Sequence, residues 1–164
     1  RRRKAVIALG QVLLLLLGGG DNLAARQARQ FVENTIHLAG IGAGFAIGQR
    51  ALLMQTAGGN VLWDCVATLN DATIAAIKAK GGIKAIAISH PHFYTAMAEW
   101  AKAFDCKVYL HAADKEWIMN PNPAVQSWEG DTLKLWDGVT LVRCGGHFPG
   151  GTVLHWQDSA SSLG

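Results

Sequence analysis

The chain has 164 residues, of which 50% are hydrophobic and 16% charged, enough to bury one substantial core and within the usual range of a single domain. The formal net charge of +3 is more than supplied by Arg1, Arg2, Arg3 and Lys4; no basic stripe with interleaved aromatics follows, which argues against a nucleic-acid partner. Cys65, Cys106 and Cys144 are isolated and odd in number, so they suit small buried apolar positions in a reducing compartment better than a disulfide framework or a thiolate zinc site.

Residues 1–30 are laid out as a basic stretch, an apolar run from Ala5 to Leu17 and the small-residue segment Leu23-Ala24-Ala25. That is the order of a secretory signal peptide, and the run is short for a membrane span. The alternatives are an apolar strand or helix packed on the core and a start not native to the domain. Residues 31–164 are expected to form the domain proper. Localisation stays open: the cysteines favour the cytoplasm, and a true leader would mean export. A membrane partner is not expected.

In the body, Phe45 to Gln55 and Val61 to Cys65 are apolar-rich runs separated by Ala57-Gly58-Gly59-Asn60, which predicts a β-hairpin. Asn70 and Asp71 are N-cap residues, and Gly81-Gly82 is a stop, so a helix is expected over about 71–80. Lys84 to Ser89 reads as a buried strand of Ala and Ile ending at His90. A helix over Thr95 to Phe104, a strand over Lys107 to His111 and a helix over Ala112 to Met119 follow, the last ended by Pro121 and Pro123. Thr132 to Trp136, Val139 to Cys144 and Thr152 to Trp156 complete the strands. Alternating helices and strands with a strand-rich end imply an α/β (α+β type) layered fold.

The chemistry concentrates in the histidines. His90 and His92 flank Pro91 on a loop leaving a buried strand, and His147 lies on the glycine-rich loop Gly146-His147-Phe148-Pro149-Gly150 after another strand. Three neutral imidazoles plus one water make the open tetrahedral site of a catalytic zinc, which lowers the pKa of its water to about 7. A lone H-x-H is weak evidence, since loop histidines often bond only backbone groups.

Together these pieces resemble the metallo-β-lactamase superfamily. Leu62-Trp63-Asp64 is similar to its hairpin ending in a buried Asp, His90-Pro91-His92-Phe93-Tyr94-Thr95 to its H-x-H-x-D-H motif, and Gly146 to Gly150 to its later Gly-His-x-x-Gly. The resemblance covers about residues 45–156. It implies an αββα sandwich with ligands on loops at one sheet edge, here incomplete or a half sandwich. It also implies metal ligands at His90, His92 and His147. Tyr94 and Thr95 stand where the motif has the Asp and His that serve a second metal, so at most one zinc ion is expected. The bridging Asp and final His of the family have no obvious equivalent, which suggests a truncated domain or one completed by a second copy.

Asp64 is a candidate to orient a ligand histidine, or a turn-forming Asp that caps backbone donors. Tyr94 is a candidate donor to a substrate oxyanion, or a packing residue. His111 ends a strand near the same edge. Asp114 and Glu116 read as a solvated helix face, and the six tryptophans as core closures at element ends. The expected function is zinc-dependent hydrolysis of an ester, lactone or amide-like bond in a small-molecule substrate. A non-catalytic binding or assembly module of the same fold is the alternative, and an exported or membrane-attached protein with incidental histidines a third.

Overall fold

The computed structural model describes residues 5–7, 35–39 and 50–156. β1 (Ala5–Ile7), β8 (Thr132–Trp136), β9 (Val139–Arg143) and β10 (Thr152–Trp156) form one sheet in the order β1-β10-β9-β8. The second is six-stranded, in the order β2-β3-β4-β5-β6-β7, with β2 Thr35–Ala39, β3 Arg50–Met54, β4 Val61–Trp63, β5 Ala85–Ala87, β6 Lys107–His111 and β7 Val125–Trp128. β2, β3 and β4 pair antiparallel, whereas β4 to β7 run parallel. Helices α1 (Asp71–Ala79) and α2 (Met97–Phe104) make the crossovers from β4 to β5 and from β5 to β6.

Alternation along the six-stranded sheet builds two cores, because successive side chains point to opposite faces. Leu53, Leu62, Ile86, Val108 and Leu110 face the helices and pack with Ile77, Met97 and Trp100. Leu52, Met54, Val61, Trp63 and Ala87 face the other way and pack with Val139, Leu141, Leu154 and Trp156 of the second sheet. The described part of the sandwich is therefore a helical layer over two facing sheets. Both faces of β4 and β5 are buried, which is why these two strands read as continuous apolar runs.

Helix α1 begins where expected, with Asn70 accepting the Thr73 N–H at 2.8 Å. It ends where Gly82, at φ 73°, donates its N–H to Ile77 O at 2.9 Å. Between β6 and β7 the structure departs from the expected α-helix. Residues Ala112–Trp117 form a kinked 3₁₀ segment with non-helical dihedrals at Asp114. The His111 ring accepts the Ala113 N–H at 3.1 Å, and Asp114 turns inward. β7 was not expected, since Pro121 and Pro123 mask it; it lies at the sheet edge, where one side needs no pairing. The hairpin of β3 and β4 forms as read, with residues 40–49 outside the described ones. Of the leader, β1 pairs antiparallel with β10, and residues 8–34 lie outside the described ones. No helix among the described residues is long and apolar enough to cross a membrane.

Leu141 is fully buried between the sheets. Truncation leaves a void that both sheets must span, so Leu141→Ala is expected to cost about 2–5 kcal/mol, read as a lowered urea midpoint at unchanged slope.

Candidate metal centre

Parallel strands deliver their following loops to one edge of a sheet, the place where ligands gather in open α/β sheets. Here the loop after β4 carries Asp64, the loop after β5 carries Ser89, His90 and His92, and the segment after β6 carries Asp114 and Trp117. His147 arrives from the second sheet, on the loop joining β9 to β10. That loop is tied by Cys144 and Gly145, whose N–H groups both donate to Gly151 O, at 2.8 and 2.9 Å. Gly145 and Gly146 take φ of 68° and 115°, the region that glycine alone enters freely.

The three histidines expected from the sequence come together. One ring nitrogen from each of His90, His92 and His147 lies within 4.8 Å of the others. Ring centres are 5.0 Å apart for His90 and His92, 4.9 Å for His90 and His147 and 5.5 Å for His92 and His147. Three imidazoles on one tetrahedral zinc, with Zn–N of about 2.0–2.1 Å, place their ring centres about 5.2 Å apart and their nitrogens about 3.4 Å apart, so the ring centres already have the spacing for one ion and the nitrogens must draw together to share it. His90 is buried, while His92 and His147 face solvent, which leaves one side of the cluster open.

His90 is held from behind. Asp64 ends β4 with φ 63°, a left-handed conformation that Asp tolerates better than most residues. Its carboxylate, 3% exposed, accepts the Ser89 N–H at 2.7 Å and faces Ser89 Oγ at 3.0 Å. Ser89 Oγ in turn lies 2.7 Å from His90 Nδ1. When Asp64 is ionised it can only accept, so the serine hydroxyl donates to it and accepts from Nδ1–H. His90 Nε2 then carries the lone pair. Burial pushes the Asp64 carboxyl up to about 7, the two Ser89 bonds opposing it. Burial also lowers His90 to about 4, helped by His147 and His92, so its imidazole is neutral at physiological pH.

Tyr94 lies buried in the helix-side core. Burial, and then the Asp114 carboxylate, push its phenol well up, so it stays protonated: a donor rather than an anionic ligand. Thr95 is exposed. Among the described residues the convergent group consists of the three histidines. His111 is satisfied elsewhere: it accepts from Ala113 N, and its Nε2 lies 3.0 Å from Gly130 O.

Two supporting residues escaped the sequence reading. Ser89 carried no signal beyond preceding His90. Asp114 is the clearer correction: instead of lying on a solvated face it is 1% exposed and accepts the Gly150 N–H at 2.7 Å, clamping the His147 loop. A Cβ at Gly150 would come 2.7 Å from Asp114 Cγ. Cys65 and Cys106 are buried as expected, whereas Cys144, beside this loop, is exposed.

No family model matches the chain. It is 50% identical over 120 residues to the Bacillus subtilis (strain 168) protein described as uncharacterized protein YmaE, a match covering 73% of this chain and 44% of the relative. Among solved structures, the Rm3 metallo-β-lactamase superposes with a TM-score of 0.57 at 20% identity, over 79% of this chain and 55% of that one. TTHA1623, solved in a di-iron-bound form, gives 0.56 at 26% identity, over 73% and 65%. A quorum-quenching N-acyl homoserine lactone hydrolase gives 0.52 at 19%, over 77% and 65%. The chain has the metallo-β-lactamase fold. It spans less than half the length of the curated relative and between half and two thirds of these solved chains.

The opposed shifts of Asp64 and His90 give a pH test. Asp64 holds its proton more tightly folded than unfolded, so its contribution is full below about pH 4 and is lost as pH rises through 7. His90 holds its proton less tightly when folded, so its contribution is present above 6.5 and lost as pH falls through about 4. Asp64→Asn removes the first slope. In the presence of chelator, the urea midpoint of Asp64→Asn relative to the parent is expected to climb between pH 4.5 and 7.5. A constant difference would contradict the assignment.

Proposed function

We propose that the chain is a metal-dependent hydrolase in which His90, His92 and His147 hold one zinc ion and the bond cleaved is an ester, lactone or amide-like bond. The observation that carries this reading is the convergence of the three imidazoles on an open edge of the sandwich. Imidazole ligands without a carboxylate suit zinc among the available divalent metals better than magnesium or calcium. Bound there, zinc would act as a Lewis acid toward a carbonyl and lower the pKa of a coordinated water to about 7. The solved proteins of this fold described above include a β-lactamase and a lactone hydrolase, and this supports a carbonyl substrate.

The chain's own residues have distinct tasks in this reading. Asp64, when ionised, acts through Ser89 to keep the proton of His90 on Nδ1 and leave the lone pair on Nε2. Asp114 holds Gly150, and with it the loop that positions His147. Phe148 lies against all three rings, with centres 5.8, 5.2 and 4.5 Å from His90, His92 and His147, and keeps water from one flank. Tyr94, held neutral, serves as a donor to developing negative charge. One observation favours a second reading, a metal-holding but non-catalytic binding or assembly module: Tyr94 and Thr95 occupy the motif positions of the expected base and second-metal ligand.

Elemental analysis of the purified chain is expected to find about one zinc per chain, lost in His90→Ala with His92→Ala. Finding no bound zinc after reconstitution would sink the proposal. Ser89→Ala keeps all three ligands but loses the tautomer lock, and is expected to weaken zinc about 10–100-fold in a competition with a chromogenic chelator. Hydrolysis of a panel of esters, lactones and β-lactams separates the two readings: zinc binding with every substrate untouched selects the module.

A further inference from the structure

Trp117 is out of place among the tryptophans. Trp63, Trp100, Trp128 and Trp156 are buried, whereas Trp117 is 48% exposed, one of two large hydrophobic residues exposed among those described. Its indole stands edge-on to Phe148, with centres 5.5 Å apart and planes at 86°. Phe148 in turn touches all three histidines. An uninterrupted aromatic surface therefore runs from the imidazole cluster outward to solvent.

The segment carrying Trp117 is fixed from both sides. Asp114, in the same 3₁₀ segment, is buried and bonds Gly150, two residues beyond Phe148. The Ile118 N–H donates to Lys115 O at 3.1 Å, closing the last turn. The indole is thus held beside the histidine loop rather than swinging on a tether. Flat aromatic surface held next to a polar centre is how small-molecule sites combine apolar contact with a few orienting groups. The ring partners of Phe148 are three imidazoles and one indole, and the charged group tied to the same loop is Arg143, whose Nε donates to Pro149 O at 2.9 Å.

We propose that Trp117 and Phe148 form a specificity shelf that takes an uncharged apolar arm of the substrate, an acyl chain or aryl group attached to the carbonyl presented at the histidines. This rests on the reading of the cluster as a zinc hydrolase site and adds a substrate class to it: apolar acyl compounds rather than small or charged ones. Trp117 is then a determinant of KM and of chain-length preference.

The test uses the whole chain labelled with 5-fluorotryptophan, whose six tryptophans give resolvable fluorine resonances, the Trp117 line being assigned by Trp117→Ala. Acetohydroxamate and hexanohydroxamate share a chelating head and differ only in the apolar arm. With zinc loaded, hexanohydroxamate is expected to bind about tenfold tighter than acetohydroxamate and to shift the Trp117 line. Trp117→Ala is expected to lower that preference to about threefold or less without changing acetohydroxamate affinity, its other resonances reporting an intact fold. In metal-free chain, hexanohydroxamate at millimolar concentration should still move the Trp117 line, and acetohydroxamate should not. A Trp117 line unmoved in both forms, or a preference that survives Trp117→Ala, overturns the shelf. A line that moves equally with and without zinc, with no gain in affinity from the metal, supports the shelf and counts against the zinc reading.

Discussion

The buried carboxylate of Asp64 is the constraint around which the functional end of the molecule is arranged. A carboxylate so deep inside a fold is costly unless it is neutralised or fully hydrogen-bonded. Ser89 meets it with both its N–H and its hydroxyl. The carbonyl of the same serine accepts the Thr152 N–H at 2.9 Å, which ties the end of β5 to the start of β10 and so the six-stranded sheet to the four-stranded one. His90 follows next in the chain and shares the serine hydroxyl. One buried carboxyl group thereby sets the relative positions of the loop after β4, the loop carrying His90 and His92, and the base of the hairpin carrying His147.

Asp114 repeats the device on the other side. It too is a carboxylate taken out of water, and it too meets a backbone N–H, that of Gly150. Glycine is required there because any side chain would collide with the carboxylate. The two acids stand behind the histidines, each one hydrogen-bonded step from the loop that carries a histidine. Their arrangement separates positioning from contact: carboxylates fix backbone and tautomer, and imidazoles face the open side.

Much of this was legible in the sequence because it depends on short-range patterns. Apolar runs broken by the Ala57 to Asn60 turn, the Asn70 cap and the Gly81-Gly82 stop marked the β3 to β5 region, since propensity and packing agree there. The three histidines were legible because they sit at the ends of apolar strands, and the order of those strands brings their loops to one edge. What escaped depends on long-range pairing. Asp114 looked like one member of a solvated Asp-Lys-Glu run, and only its bond to Gly150, 36 residues away, turns it inward and kinks the expected helix. β7 escaped because its strand character comes from pairing in parallel with β6, not from its own Val-Gln-Ser-Trp sequence. Ser89 gave no signal at all, for a serine at a strand end is ordinary until the Asp64 carboxylate is placed beneath it.

The substitutions at 94 and 95 acquire a physical meaning from their surroundings. A carboxylate at position 94 would stand near Asp114 in a site of little water, and two like charges so placed repel. Tyr94 fills that place with a neutral ring buried in the helix-side core, while Thr95 points to solvent. The centre that results has three imidazoles and no carboxylate in its convergent group, and the Asp64 carboxyl sits behind Ser89. A divalent ion held there would keep its positive charge toward the open side, the side on which Phe148 and Trp117 present an apolar wall. The open side of the histidine cluster is thus bordered by the ring of Phe148 and, beyond it, by the half-exposed indole of Trp117.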